Sequence, residues 1–182
     1  MTIDKKKKRR RVIPVIIKEP ELMKILTKVK TPNRRLAFML GFYQAMRVSE
    51  VVKLKPTDVD KVRRTLFIRN AKGGKDRIIP ISPNVMKGLK HLPIDVGIRA
   101  LQISIKKYGK DVLKKKIKFH TLRHSGATFY LNVKKWNLRH VQALLGHSKI
   151  STTELYLHVD PQDLINMMWF EDLENMEKRS PS

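Results

Sequence analysis

The stretch HTLRHS at His120–Ser125 decides how this chain is interpreted, because its spacing is combined with that of two other short blocks. LGH at Leu145–His147 follows it, and Tyr156 comes nine residues after the histidine of that block. QAMRVSE at Gln44–Glu50 lies far upstream and contributes another arginine. The blocks stand far apart in the chain, so only a folded structure can bring their side chains together.

Apolar residues at helical spacing surround these blocks and predict a mainly helical chain. One helix is expected after Pro20 and a second one ending near Arg47, each with an apolar face of helical period. Ser49 is expected to cap a third, short helix that Pro56 ends. Further helices are predicted at roughly 83–91, 97–109, 121–133, 138–145, 151–157 and 161–178.

Residues 57–81 have a different pattern, which predicts a small sheet. Asp58–Asp60, Thr65–Arg69 and Arg77–Ile81 are typical of strands, and Lys72-Gly-Gly-Lys75 joins the last two. Consecutive glycines supply the positive φ angles that a tight hairpin needs. We therefore expect the α+β class, mainly helical: a compact helical domain with a small three-stranded antiparallel sheet at one edge.

The chain is strongly basic, which indicates a polyanionic partner. It has 40 Lys and Arg residues against 16 Asp and Glu residues, a formal net charge of +24. Seven consecutive basic residues at Lys5–Arg11 form an N-terminal arm, for which a solvated, disordered tail or a localisation signal is an equal alternative. Removing these seven residues and Asp4 leaves a net charge of +18, so the rest of the chain is basic as well. The excess favours nucleic acid as the partner.

The composition also excludes several classes of protein. With no cysteine among 182 residues, disulfides, thiol nucleophiles and cysteine metal sites are excluded. No apolar stretch approaches the ~18 residues of a membrane span. No apolar segment of a secretory signal follows the basic arm. We therefore expect an intracellular protein of the cytoplasm or nucleoid.

The residue types in the blocks suit the breaking of a phosphodiester. That reaction needs a nucleophile, cations on the non-bridging oxygens and a proton for the leaving oxygen. Tyr156 can be the nucleophile if a nearby base or positive charge offsets the pKa of about 10 that a free tyrosine has. Arg47 and Arg123 present planar donor forks that match phosphate. Lys72, at the hairpin tip, is an ammonium within reach of the leaving oxygen.

Each residue taken alone also has an ordinary explanation. A tyrosine in an amphipathic helix usually packs, and an arginine of a basic protein usually touches solvent or a backbone phosphate. His120 and His124 stand four residues apart and could form a zinc pair, but the chain lacks the glutamate of H-E-x-x-H and any cysteine. The prediction therefore depends on the joint pattern.

This joint pattern resembles the tyrosine recombinase (phage-type integrase) family over about Pro20–Pro161. The resemblance rests on AMRVSE at Ala45–Glu50, on HTLRHS, and on LGHSKISTTELY at Leu145–Tyr156. The hairpin Ala71–Pro80 is similar to the family's lysine-bearing turn. The resemblance implies a DNA recombinase that forms a 3′-phosphotyrosyl bond and needs no cofactor, neither metal nor ATP.

The resemblance also implies a role for each matching residue. Tyr156 would attack the phosphate, Arg47 and Arg123 would clamp it, and Lys72 would be the general acid. His120 would assist proton transfer at the tyrosine, and His147 would hydrogen-bond a phosphate oxygen. Glu50 and His124 would support these residues from behind. Contacts to double-stranded DNA are expected from Lys5, Lys6, Lys7, Lys8, Arg9, Arg10, Arg11, Lys75 and Arg77.

The chain departs from the family pattern in several places. Ala45 stands where a glycine is usual, Lys75 competes with Lys72 for the role of acid, and the segment 91–118 is short. The family's separate N-terminal core-binding domain has no counterpart in the sequence. The expected organisation is a basic arm or linker remnant at 1–18, a catalytic domain at 19–178 and a tail at 179–182.

Two questions stay open at this point. The predicted helix 161–178 is apolar over more than one face, which fits either burial in its own chain or docking into a neighbouring protomer on DNA. Two other functions are also compatible with the pattern: a type IB topoisomerase, which shares the chemistry, and a non-catalytic DNA-binding regulator derived from an integrase.

Overall fold

The computed structural model describes residues 15–69, 76–146, 162 and 164–169. Within these ranges the chain is mostly helical, residues 164–169 are helical too, and no helix is both long and apolar enough to cross a membrane. The helices are α1 (Glu19–Lys28), α2 (Pro32–Tyr43), α3 (Val48–Lys53), α4 (Pro83–Met86), α5 (Ile98–Leu113), α6 (Phe119–Asn132) and α7 (Leu138–Leu145), with short 3-10 helices at Pro56–Asp58 and Lys87–His91.

The predicted sheet is confirmed. Strands β1 (Val59–Asp60), β2 (Thr65–Ile68) and β3 (Arg77–Pro80) are antiparallel in the order β1-β2-β3. In the register of β2 and β3, Thr65 lies opposite Pro80 and Ile68 lies opposite Arg77. The hairpin tip at 70–75, which contains Lys72 and Lys75, lies outside the described residues.

Helix α2 is the centre of the core, and α6 crosses it at very short distance. A Cβ on Gly126 of α6 would lie 1.9 Å from the carbonyl oxygen of Phe42, so only glycine permits this contact. The hydroxyl of Tyr130 donates to the carbonyl of Tyr43 at 2.7 Å. This packing places α6 against the chain that leaves α2, where the motif around Arg47 begins.

The predicted boundaries around that motif were wrong in two respects. Helix α2 ends at Tyr43 instead of near Arg47, because Ala45 adopts a left-handed backbone conformation with φ of 47°. Ser49 does not cap the next helix; Arg47 occupies the N-cap position, and its backbone N–H donates to the Glu50 carboxylate at 2.8 Å. The cap is therefore made by a residue inside the helix instead of by the one before it.

Other predicted helices differ mainly in length. The helix predicted at 97–109 ends at Leu113, where Lys114 has a positive φ of 56°. The helix predicted at 121–133 begins at Phe119, and that at 138–145 is confirmed. The one predicted at 83–91 is divided into α4 and the 3-10 helix Lys87–His91. The helix predicted at 151–157 lies outside the described residues, as do most residues of 161–178.

Candidate active site

The first motif is held in place by the buried side chain of Gln44. Its amide Nε2 donates to the carbonyl of Pro80 at 2.7 Å, and its Oε1 accepts from the backbone N–H of Ser82 at 3.0 Å. Both partners lie at the end of β3. The reversal at Ala45 is therefore fixed to the sheet, and the chain enters α3 with Arg47 pointing toward the same region.

Glu50 is the centre of the cluster that this reversal creates. Its carboxylate is only 5% exposed and accepts from Arg47 Nη1 at 2.8 Å. Arg77 of β3 donates to both of its oxygens, from Nη1 at 3.0 Å and from Nη2 at 3.1 Å. Burial alone raises the pKa of Glu50, but the hydrogen bonds and charges of Arg77 and Arg47 outweigh it, so that the pKa lies below its ordinary value. Glu50 is therefore a carboxylate at neutral pH.

Arg123 of α6 joins the same cluster from the opposite side. Its guanidinium is 3% exposed and lies 4.0 Å from the Glu50 carboxylate. Its Nη1 donates to the carbonyl of Ala45, and its Nη2 donates to the carbonyl of Leu145 at 2.8 Å. One side chain thus connects the blocks at Gln44–Glu50, His120–Ser125 and Leu145–His147. Burial and the charge of Arg47 lower the pKa of Arg123 to about 10, which still leaves it cationic at neutral pH.

The cluster has an excess of positive charge that suits an anion. Three guanidinium groups (Arg47, Arg77 and Arg123) surround the single carboxylate of Glu50, which gives a net charge of +2. Arg47 is the most exposed of the three, with 22% of its side chain accessible. A phosphate that reaches Arg47 would meet donors already fixed by the protein, so little reorganisation would be needed on binding.

His120 and His124 lie side by side on the outer part of α6. Their rings are nearly perpendicular, with centroids 4.3 Å apart. Desolvation, followed by the charges of His124, Arg123 and Arg47, lowers the pKa of His120 below its ordinary value of 6.5. His120 is therefore neutral at neutral pH and can accept a proton. In the part of the chain that the structure describes, no third histidine or carboxylate joins them as a potential metal ligand.

A groove of about 680 Å³ opens beside the cluster. Arg47 and His120 line it. Exposed basic residues from the neighbouring segments complete its wall: Arg99 and Lys106 of α5, and Lys118 before α6. A larger groove of about 1260 Å³ lies at the sheet and shares no lining residue with the cluster, so its size does not mark it as the reactive site.

The structure brings together only part of the predicted site. Five of the predicted residues lie in or beside one cluster: Arg47, Glu50, His120, Arg123 and His124. Arg77, predicted as a DNA contact, has a side chain that is 12% exposed and paired with Glu50. The remaining predicted residues lie outside the described residues: Lys72, Lys75, His147, Tyr156 and the arm from Lys5 to Arg11.

Several other groups contribute to the site without having been predicted from the sequence. The carbonyl groups of Ala45 and Leu145 hold Arg123, and no sequence signal distinguishes one carbonyl from another. The basic wall of the groove could have been predicted, because Arg99, Gln102 and Lys106 recur at helical spacing within the helix predicted at 97–109.

Known proteins are similar to this chain in sequence. The phage integrase family matches residues 15–97 and 96–163. A tyrosine recombinase of Thermosipho africanus is 32% identical over 175 residues, which cover 85% of this chain and 60% of that protein. The chain thus spans about 60% of the length of such relatives.

Solved structures show the same fold. The integrase from mycobacterium phage Brujita superposes with a TM-score of 0.75 at 22% identity, over 88% of this chain and 59% of that one. XerH site-specific recombinase, solved in a pre-cleavage complex with its difH substrate, superposes with a TM-score of 0.60 at 21% identity, over 83% of this chain and 52% of that one.

Replacement of Glu50 by glutamine tests the charge balance of the cluster. The amide leaves three buried or half-buried guanidiniums without an anion, so we expect Glu50→Gln to lower the free energy of unfolding by about 3–5 kcal/mol. Glu21→Gln is the control, because its partly exposed pair with Lys115 should be worth less than about 1 kcal/mol. Urea unfolding at pH 7 measures both.

The pH dependence of the free energy of unfolding provides a second test of the ion pairing of Glu50. The pKa of Glu50 is lowered on folding, so its contribution is complete above its ordinary value of 4.5 and is lost as the pH falls through the lowered pKa. The destabilisation caused by Glu50→Gln should therefore shrink below pH 4.5. An equal loss at pH 7 and at pH 3 would contradict the ion pairing.

Proposed function

The chain belongs to the phage integrase family, and on that premise we propose that it is the catalytic domain of a site-specific DNA recombinase. It cleaves and rejoins double-stranded DNA through a 3′-phosphotyrosyl intermediate, without metal or ATP. The observation that carries this proposal is the convergence of Arg47 and Arg123, from distant parts of the chain, on the buried carboxylate of Glu50.

In this mechanism the scissile phosphate binds at the exposed side of Arg47, beside Arg123. Guanidinium donors neutralise its non-bridging oxygens, and the charge that develops in the transition state strengthens these contacts. The phenol oxygen of Tyr156 attacks phosphorus, the bond to the 5′ oxygen breaks, and the DNA strand becomes esterified to the protein. Attack by a 5′ hydroxyl reverses these steps and rejoins the strand, so no external energy source is needed.

Two residues transfer protons in this proposal, and a third hydrogen-bonds the phosphate. His120 accepts the phenol proton. Its lowered pKa keeps the imidazole unprotonated at neutral pH, as a proton acceptor must be. Lys72 on the hairpin donates a proton to the leaving 5′ oxygen, and Lys75 is its competitor for that role. His147, which follows Gly146 at the end of α7, hydrogen-bonds a phosphate oxygen.

The duplex lies along the groove beside the clamp. Arg99, Lys106 and Lys118 face this groove together with Arg47, which supports a continuous track for phosphates on either side of the reacting one. The arm from Lys5 to Arg11 and Lys75 add further contacts. The domain spans 19–178, between the arm or linker remnant at 1–18 and the tail at 179–182, and acts in the cytoplasm or nucleoid.

The C-terminal segment contributes self-association on DNA. The described part of it packs on its own chain: Trp169 Nε1 donates to the carbonyl of Ile81 at 2.7 Å, and Arg64 lies over the Trp169 ring. The contact with a second copy is therefore assigned to residues 170–178, which carry four acidic residues. The groove of about 1260 Å³ is the complementary surface, since Lys61, Arg64 and Lys90 line it.

A non-catalytic DNA-binding regulator and a type IB topoisomerase are the competing functions. The first would bind DNA without forming a covalent product. The second would relax supercoiled DNA in a reaction that needs no pairing of sites. The family blocks favour a recombinase over both, because the complete set of Arg47, Lys72, His120, Arg123, His147 and Tyr156 is present.

Substitution of Tyr156 tests the covalent chemistry. On nicked duplexes of randomised sequence, whose cleaved fragment diffuses away, the wild-type chain should accumulate a covalent protein–DNA adduct. Tyr156→Phe should give none, because the nucleophilic oxygen is removed. Tyr108→Phe is the matched control, since its half-buried ring packs against Phe38 in the core. Denaturing gel electrophoresis measures the adduct. Salt-sensitive binding without any wild-type adduct would support the regulator instead.

The pH profile of cleavage tests His120 as the base. Its lowered pKa predicts that the rate falls only when the pH drops well below 6.5. His124→Gln removes the charge of the adjacent ring, so the pKa of His120 should rise toward its ordinary value and the acidic limb should move to higher pH. His91→Gln, remote from the cluster, should leave the profile unchanged. A limb that stays in place in His124→Gln would exclude His120 as its origin.

Truncation after Trp169 tests the assignment of self-association. The shortened chain keeps the described contacts of 164–169, so it should fold and bind DNA as a monomer. Sedimentation on a DNA duplex should then show loss of the larger assembly that the full chain forms. An unchanged mass distribution would remove residues 170–178 from the interface.

A further inference from the structure

Arg77 is a mostly buried basic residue whose two terminal nitrogens are both engaged by one carboxylate. It is the first residue of β3, and its side chain is 12% exposed. Both of its terminal nitrogens donate to Glu50, one to each carboxylate oxygen. This two-point geometry fixes the orientation of the carboxylate as well as its position, which a single point charge cannot do.

The orientation of Glu50 determines where Arg47 lies. Oε1 of Glu50 accepts from Arg77 at 3.0 Å and from Arg47 Nη1 at 2.8 Å, so the two guanidiniums are held by the same oxygen. Oε2 accepts from the backbone N–H of Arg47. If Arg77 were absent, the carboxylate could rotate, and the side chain of Arg47 would lose its fixed anchor.

Arg77 also contacts the turn at the end of α7. Gly146 has a left-handed φ of 62°, and a Cβ there would lie 2.6 Å from Cδ and 2.7 Å from Nε of Arg77. Glycine is thus required twice, for its backbone conformation and for the close approach of the arginine. The buried Nε of Arg77 has no hydrogen-bond partner among the described residues, so its position here depends on packing against the Gly146 backbone.

The peptide between Leu145 and Gly146 is consequently held from two directions. Arg123 donates to the carbonyl of Leu145 at 2.8 Å, and Arg77 packs against Gly146. The residue that follows is His147, which the proposed function places on the phosphate. Arg77 therefore contacts both the anchor of Arg47 and the turn that leads to His147. Arg123 does the same, since it lies 4.0 Å from the Glu50 carboxylate and donates to the Leu145 carbonyl.

We propose that Arg77 is a positioning residue, which fixes Arg47 through Glu50 and fixes the turn at the end of α7 through Gly146. It does not touch DNA. The inference rests on the proposed function for its activity measurements, but the contact between Arg77 and Gly146 can be tested without any activity.

The activity test compares Arg77→Lys and Arg77→Gln with the wild-type chain. Both variants should lose about 10- to 100-fold in single-turnover cleavage of nicked duplexes, as is typical when a residue that orients a reactive group is replaced. Lysine keeps the positive charge but lacks the two-point guanidinium geometry. Arg77→Lys should therefore be more stable than Arg77→Gln, while its cleavage stays low. Arg139→Gln is the matched control, because it removes the same charge from an exposed position on α7.

DNA binding separates positioning from direct contact. Fluorescence anisotropy at several salt concentrations should give the wild-type affinity and salt slope for Arg77→Lys and Arg77→Gln. A residue that touches a phosphate would lower the slope by about one. Wild-type cleavage by a folded Arg77 variant, or a reduced salt slope, would overturn the proposal.

A paired variant covers the case in which the single variants unfold. Glu50→Gln combined with Arg77→Gln leaves one guanidinium fewer without an anion than Glu50→Gln alone, so the double variant should unfold at a higher temperature than Glu50→Gln. Cleavage should stay low, because Arg47 still lacks its anchor. Recovery of cleavage together with stability would show that Arg77 acts on stability alone and would overturn the proposal.

The contact with Gly146 is tested by thermal unfolding of Gly146→Ala, Arg77→Ala and the double variant. The methyl group of Gly146→Ala collides with Arg77 only when the arginine is present, so its effect should be smaller in the Arg77→Ala background. Equal effects in both backgrounds would exclude the contact. If the wild-type chain forms no covalent adduct, the proposed function fails, whereas this cycle still decides whether Arg77 holds the turn.

Discussion

The carboxylate of Glu50 is the constraint on which the rest of the structure depends. A buried carboxylate is stable only if cations and donors replace its lost hydration. Arg47, Arg77 and Arg123 supply these groups from α3, β3 and α6, which are separate in the sequence. The need to satisfy one anion therefore dictates where three elements meet, and the guanidiniums that meet there exceed the carboxylate by two charges.

The small sheet positions one of these arginines. Its last strand carries Arg77 into the cluster, and its end is fixed by Gln44, which binds Pro80 and Ser82. The close crossing of α2 and α6 at Gly126 gives Arg123 its approach to the Ala45 carbonyl. The packing of the helices and the pairing of the strands thus determine the positions of Arg47, Arg77 and Arg123 together, and neither alone would do so.

Much of this fold could be predicted from the sequence, because the signals are local. Apolar periodicity predicted α1, α2, α6 and α7, and strand patterning predicted β2 and β3. The spacing of the blocks also brought Arg47, Glu50 and Arg123 into one predicted site. Long-range contacts were harder to predict from the sequence. Nothing near Arg77 in the sequence indicates that it faces Glu50 instead of solvent. Its alternation along β3 is compatible with either side, and only the three-dimensional packing decides.

The helix cap at Arg47 illustrates the same limit on a smaller scale. Ser49 is a favourable capping residue, yet Glu50 makes the capping contact, because its carboxylate is required at that point by the arginines around it. A tertiary demand on one side chain therefore overrode a local preference.

The left-handed backbone at Ala45 has a consequence for the rigidity of the site. A residue with a Cβ is strained by about 1–2 kcal/mol in this conformation, whereas glycine would adopt it freely. Alanine, however, has fewer conformations available in the unfolded chain than glycine has, so less entropy is lost when the turn forms. The turn before Arg47 is therefore strained but stiffer than a glycine turn would be. A stiffer turn restricts the range of positions that Arg47 can occupy.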